Sequence, residues 1–167
     1  DNIVALVEQA LKSELTSIYE KGKKGNLSPQ MVGVKTGKAY LSYMQNAQNV
    51  FGFTFTGMTG AADLGQELGK LYSTVPTMSG EKMAREMSKA FDKCIATLLT
   101  TNQTTIVSTA FGPLCYTHLN IAFGKPARTS TDYAKNVAKA LHLSTSAPAI
   151  ILSGIVPGTP PVPYSGT

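Results

Sequence analysis

Apolar residues recur every three or four positions in five stretches of the chain, the spacing that places one buried face on an α-helix. The strongest stripe begins after Ser79, a residue type that favours the start of a helix because its hydroxyl caps a free amide. That stripe comprises Met83, Met87, Ala90, Phe91, Cys94, Ile95 and Leu98. The stripe of the first stretch comprises Ile3, Val7, Leu11, Leu15, Ile18 and Tyr19. We expect the core to contain Ile3, Leu11, Leu15, Met83, Met87, Phe91, Cys94 and Leu98. The pattern predicts helices near residues 2–20, 29–49, 61–73, 80–100 and 131–142. The expected fold class is therefore mainly α, a small helical domain.

Two glycines interrupt the second helical stretch. Gly33 and Gly37 weaken its first half, because glycine loses more conformational freedom in a helix than any other residue. Alternatively, their lack of a side chain permits another backbone to approach closely. The sequence leaves both interpretations open.

Two other segments depart from the helical period. Between residues 51 and 56, phenylalanine alternates with glycine and threonine, which predicts a short β element, either a strand or an ordered loop. Residues 104–123 contain two apolar runs with β-branched residues, and short runs of this kind fit strand and helix equally well. We expect Pro113 to separate these two runs in either case.

The last residues of the chain, 154–167, contain no charged side chain. They include four prolines, which lack a backbone N–H and have a fixed φ, so this segment is neither a helix nor a central strand. We therefore expect a mainly helical domain over residues 1–153 and an extended Pro/Gly-rich C-terminal arm over residues 154–167. We expect four apolar residues of the arm to be its contact residues, since they find no partners within it: Ile155, Val156, Val162 and Tyr164.

The formal net charge is +5, which is compatible with a nucleic-acid partner. The densest basic cluster, Lys21, Lys23 and Lys24, is flanked by glycines and favours an exposed loop over a binding strip. The longest uncharged run is rich in Thr, Asn and Gln and contains Pro113, so no membrane partner is expected.

No motif for catalysis, for a metal or for a cofactor stands out. The segment "GVKTGKAY", residues 33–40, differs from a phosphate-binding loop in glycine spacing and in having Ala39 where a hydroxyl would hold magnesium. Cys94 and Cys115 have no metal-ligand spacing with His118 or His142. Both cysteines are expected to be buried free thiols, although a disulfide between them stays open. We expect neither a catalytic residue nor a cofactor.

The body, low in charge and rich in Thr and Gly, combined with the arm "GIVPGTPPVPYSGT", resembles structural proteins of tailed-phage particles, of the connector, neck or tail type. In these proteins small folds form rings, and terminal arms connect adjacent subunits. The resemblance implies a symmetric assembly of many copies, partners that are copies of itself and other structural proteins, a place in the virion, and no enzymatic activity. Outside a virion, we expect a cytoplasmic protein.

Three functions are compatible with these features, and we favour a structural subunit of a viral assembly joined through its arm. The first alternative is a small enzyme or ligand-binding module whose site forms only in the folded protein. A histidine in a deep pocket or a buried carboxylate cluster would favour it. The second is a nucleic-acid-contacting protein, which would be favoured if one surface gathers Lys21, Lys23, Lys24, Lys35 and Lys38.

Overall fold

The computed structural model describes residues 6–45, 55–74, 78–100, 107–108, 110–146, 152–156 and 162–166. Within these ranges the helices are α1 (Glu8–Lys23), α2 (Pro29–Met44), α3 (Ala61–Thr74), α4 (Gly80–Ile95), α5 (Phe111–Phe123) and α6 (Ser130–Thr145). The strands are β1 (Phe55–Met58), β2 (Leu98–Thr100), β3 (Val107–Ser108), β4 (Leu152–Val156) and β5 (Val162–Gly166). The prediction of a mainly helical protein is confirmed.

Hydroxyl caps define the start of three helices. Ser28, Ser79 and Thr129 each accept a hydrogen bond from the amide three residues further on, at 3.0–3.2 Å. Such a cap satisfies one of the free amides of the first turn and contributes about 1 kcal/mol. Pro29 follows Ser28 at the first position of α2, where its missing N–H has no partner to lose.

Three predicted helix boundaries are wrong. The second helix ends at Met44 rather than near residue 49. The first helix begins at Glu8 rather than near residue 2, and Val7, which precedes it, is 47% exposed. The fourth ends at Ile95 because the Thr97 hydroxyl donates to the Cys94 carbonyl and accepts from the Gly60 amide, which turns the chain. Leu98 nevertheless stays buried, on β2 instead of a helix.

The ambiguous segment 104–123 contains strand β3 and helix α5. Pro113 lies in the first turn of α5, where a missing N–H breaks no intrahelical bond, so the expectation that it separates two elements is wrong. Ala110 offers α5 no side-chain cap. Asp92 of α4 supplies the acceptor instead, because its carboxylate takes a hydrogen bond from the Gly112 amide.

The strands form two small antiparallel sheets. β1 pairs with β2, and Met58 lies opposite Leu98, so the predicted short β element is a strand from Phe55 onward. Residues 51–54 lie outside the described residues. The second sheet has the order β3-β4-β5, with β4 in the centre.

The C-terminal segment is a hairpin in which β5 pairs with β4, from Leu152 opposite Gly166 to Val156 opposite Val162. The backbone of the segment therefore pairs within itself, and the expectation that its apolar residues contact another chain stays a prediction. Position 154, where the arm was expected to begin, falls within β4. The sequence did not predict this hairpin, because the segment has no two-residue turn of the Asn-Gly type. Pro163 is compatible with pairing because β5 is an edge strand.

The core lies between the helices. Seven of the residues in the predicted apolar faces are at most 5% exposed: Leu11, Leu15, Met83, Met87, Phe91, Cys94 and Leu98. The predicted core residue Ile3 lies outside the described residues. At the centre, the Tyr40 ring meets the Phe91 ring edge-on, with 4.9 Å between centroids.

Helices α2 and α3 pack backbone against backbone through four glycines, Gly33 and Gly37 on α2 and Gly65 and Gly69 on α3. A Cβ atom on Gly33 would lie 2.5 Å from the Gly69 Cα, and one on Gly65 would lie 2.9 Å from the Val34 Cα. Neither contact can be relieved by a side-chain movement, since the neighbour is main chain. Of the two interpretations of Gly33 and Gly37, close approach of another backbone is the right one.

This contact predicts that Gly33→Ala destabilises the protein by about 2 kcal/mol or more, because the new methyl group forces the two helices apart. The sign of the change in the free energy of unfolding is informative, because Gly→Ala in an unobstructed helix interior stabilises a protein by about 1 kcal/mol. Gly57→Ala is the control, because a Cβ there meets nothing within 4 Å. Chemical denaturation measures both variants. Wild-type stability in Gly33→Ala would contradict the close contact.

Candidate functional site

The predicted arm residues fall on both faces of the C-terminal hairpin. Residues opposite each other in an antiparallel pair share a face, and successive residues of a strand alternate between faces. The pairs Gly154–Tyr164 and Val156–Val162 therefore lie on one face, and the pair Ile155–Pro163 lies on the other. The sequence analysis did not separate Ile155 from its neighbour Val156 in this way, because the prolines argued against a strand in this segment.

The basic cluster Lys21, Lys23 and Lys24 is not a loop, because α1 extends to Lys23. The helix tolerates Gly22 in its last turn. Lys24 is its C-cap, and Gly25 follows with a φ of 80°, the left-handed conformation that glycine adopts just beyond helix ends. The three lysine side chains also lie at different places on the surface. Lys21 lines a groove with Lys35 and Lys38, Lys23 lines a different groove, and Lys24 lines neither.

The groove that contains Lys21 lies between α1 and α2 and has a volume of about 280 Å³. It brings together Lys21, Lys35 and Lys38, three of the five lysines whose clustering would favour a nucleic-acid partner. Glu14 lines the same groove and reduces its positive charge.

The cysteines and histidines do not form a reactive site. Both thiols are free and buried, as predicted, and burial raises the pKa of Cys94 to about 11 and that of Cys115 to about 12. Thiols with such pKa values are protonated at neutral pH and are poor nucleophiles. His142 is hydrogen-bonded through Nδ1 to the Tyr43 hydroxyl at 2.6 Å. The part of the chain that the structure describes contains no group of three His, Cys, Asp or Glu residues able to hold a metal ion.

A cluster of tyrosines that the sequence analysis did not single out lies between α1, α3 and α6. The Tyr19 and Tyr72 hydroxyls are 2.9 Å apart, and the Tyr133 ring meets the Tyr19 ring edge-on at 4.9 Å. The buried Thr36 hydroxyl donates to the Val32 carbonyl at 2.8 Å. Burial raises the pKa of all three phenols well above their usual value. The available signal was that Tyr19 and Tyr133 stand on apolar stripes, where a phenol requires a polar partner.

These three tyrosines line a groove of about 420 Å³, and its rim is basic. Lys23 comes from the end of α1, and Arg128 comes from the loop before α6. Described ion pairs join Glu81 to Arg85, Glu86 to Lys89 and Glu67 to Lys93, so within the described ranges neither Lys23 nor Arg128 has an acidic partner. We call this the tyrosine groove.

Among the described residues, no helix combines the length and apolar character needed to cross a membrane. Comparison of the chain with protein-family models, with curated proteins and with solved structures finds no match in any of the three. The proposals below therefore rest on the geometry and chemistry of this chain alone.

The buried phenols predict that the protein loses stability as the pH rises above about 10. Burial raises the folded-state pKa of Tyr19, Tyr40, Tyr72 and Tyr133, whereas the same phenols ionise near pH 10 in the unfolded chain. The unfolded state therefore releases protons first, and the stabilisation that is complete below pH 10 declines above it.

We expect these tyrosines to ionise together with unfolding, in one steep transition. Tyrosinate absorbance and circular dichroism measured on the same samples would follow both events, and the chain has no tryptophan to interfere. Gradual ionisation of all the tyrosines near pH 10, with the helices intact, would show that the phenols are not buried.

Proposed function

We propose that this protein is a structural subunit of a multi-copy assembly, without catalytic activity of its own, joined to neighbouring copies through its C-terminal hairpin. Its sequence resembles structural proteins of tailed-phage particles, so such a particle is the assembly that we propose. The observation that carries the proposal is that both faces of the β3-β4-β5 sheet contain apolar residues. The proposed contact surface, the hairpin face, consists of Leu152, Val156, Val162 and Tyr164.

The opposite face of this sheet is mixed, since Ser153 and Ser165 lie there beside Val107, Ile155 and Pro163. An antiparallel sheet at the surface of a single domain usually has one apolar and one polar face, because only one face packs on the core. β3 lies beside α4. The apolar side chains on the face that does not pack on the protein's own helices gain by contact with another chain, for which a second copy is the simplest source.

Packing through a face is favoured over strand addition at the edge of the sheet. β5 is an edge strand, but Pro163 at its centre lacks the N–H that an added strand would need. Burial of one valine or tyrosine side chain stabilises a contact by about 1.5–3 kcal/mol. One hairpin therefore binds weakly, whereas a closed ring engages all its hairpins together.

The proposal predicts that Val162→Asp weakens assembly about tenfold or more, because the contact would then bury an unpaired carboxylate. The control is Gln66→Glu, which adds the same charge at an exposed position on α3. Sedimentation velocity over a concentration series measures assembly, and thermal melting confirms that the helices remain folded. Equal assembly of Val162→Asp and wild type would exclude this face as the contact.

Deletion of residues 157–167 tests the same proposal without introducing a charge. The six helices all lie before the deleted residues, so the truncated protein should keep its helical content and lose assembly. If truncation instead unfolds the helices, the hairpin belongs to the protein's own core. A wild-type protein that is monomeric at all concentrations would also argue against self-assembly.

A nucleic-acid contact is the second candidate function, because one groove gathers Lys21, Lys35 and Lys38. Each lysine that neutralises a phosphate adds about 0.7–0.9 to the slope of log affinity against log salt concentration. The double variant Lys35→Gln/Lys38→Gln should therefore lower this slope by more than one unit. The control, Lys70→Gln/Lys135→Gln, removes the same charge from exposed positions on α3 and α6.

Fluorescence anisotropy with a labelled single-stranded DNA at several salt concentrations measures the slope. Equal slopes in the two double variants would mean that net charge, and not this groove, attracts DNA. Absence of binding by the wild-type protein at low salt would exclude this second function.

A further inference from the structure

The tyrosine groove has the size and composition of a small-molecule site. Ligand pockets usually have volumes of about 300–1,000 Å³ and combine apolar walls with a few convergent polar groups. At about 420 Å³, this groove lies within that range. Its walls come from four helices and from the loop before α6, so packing of the whole helical body determines its shape.

The floor of the groove presents aromatic rings rather than free hydroxyl groups. The Tyr19 and Tyr72 hydroxyls are bonded to each other, and the Tyr133 ring meets the Tyr19 ring edge-on. The Tyr133 ring is also stacked on Phe123, with centroids 6.0 Å apart. Because these contacts fix the rings, the floor is preorganised for a flat apolar group.

The rim of the groove favours a negative charge. Lys23 and Arg128 lie on it, and none of the described residues that line the groove is acidic. α6 also begins here, with Thr129 as its cap and Ser130 as its first residue. The first amides of a helix have no intrahelical partner and attract anions, which adds to the effect of the two side chains.

We propose that the tyrosine groove binds a small amphipathic anion, a carboxylate with an aromatic or aliphatic body. The apolar body contacts the rings of Tyr19, Tyr72 and Tyr133. The carboxylate lies between Lys23 and Arg128, where arginine can bind it through two parallel hydrogen bonds. This site is independent of the hairpin face and of its role in assembly.

A proline-rich segment such as residues 157–163 is a less suitable occupant, although such segments do bind aromatic grooves. It has no negative charge, so it gains nothing from Lys23 and Arg128. The groove that contains Lys21 is also less suited to an apolar anion, because it includes Glu14 and has no aromatic side chain in its lining.

Isothermal titration calorimetry with 2-naphthoate and 2-naphthamide tests the proposal, because the two probes share a ring system and differ in charge. We expect naphthoate to bind about tenfold more tightly than naphthamide. Arg128→Gln should weaken naphthoate binding about tenfold and leave naphthamide binding within about twofold. Lys23→Gln should act in the same direction. Its control is Lys24→Gln, the adjacent exposed lysine that does not line the groove.

A variant that fills the tyrosine groove tests whether the ring of the probe binds there. Ala127 is an exposed residue that lines the groove, so Ala127→Trp should fill it and abolish binding of both probes without unfolding the helices. Equal binding of the two probes by the wild-type protein would overturn the proposal. So would equal losses in Lys23→Gln and Lys24→Gln, or unchanged binding in Ala127→Trp. Binding that appears only after deletion of residues 157–167 would assign the groove to the arm instead.

Discussion

The close contact between α2 and α3 is the constraint on which the rest of the helical body depends. Four glycines, spaced by four residues on each helix, allow the two backbones to touch, and no larger residue fits at the Gly33–Gly69 crossing. Tyr72 lies one turn beyond Gly69 on α3. The distance between the helices therefore also determines whether the Tyr72 hydroxyl can reach that of Tyr19.

Hydrogen bonds from two tyrosine hydroxyls of α2 extend this arrangement to α6. Tyr40 of α2 bonds to Thr145 of α6 at 2.7 Å, and Tyr43 bonds to His142 on the same helix. A hydrogen bond of this kind contributes only about 1 kcal/mol, but loss of one buried partner leaves the other unsatisfied at a larger cost. These pairs consequently specify one arrangement of α2 and α6, whereas apolar contacts alone would accept several.

The helical body and the C-terminal hairpin present different chemistry. The body provides two grooves with basic residues, one floored by aromatic rings and one that contains an acid. The hairpin is uncharged and has apolar residues on both faces. In the proposals above, the hairpin serves assembly and the tyrosine groove binds an anion, so the two roles use different surfaces. Burial protects both thiols from the reactions that exposed cysteines undergo.

The sequence by itself determined the helices with strong apolar stripes, the caps Ser28, Ser79 and Thr129, and the burial of residues such as Met87 and Phe91, because these features depend on neighbours three or four residues away. It could not determine whether residues 104–123 form strand or helix, since short apolar runs satisfy both periods. Only the tertiary structure decided that Gly33 touches Gly69, that three tyrosines from three helices meet, and that Lys21 and Lys23 line different grooves. These results depend on contacts between residues far apart in sequence, and the local pattern contains no information about which helix faces which.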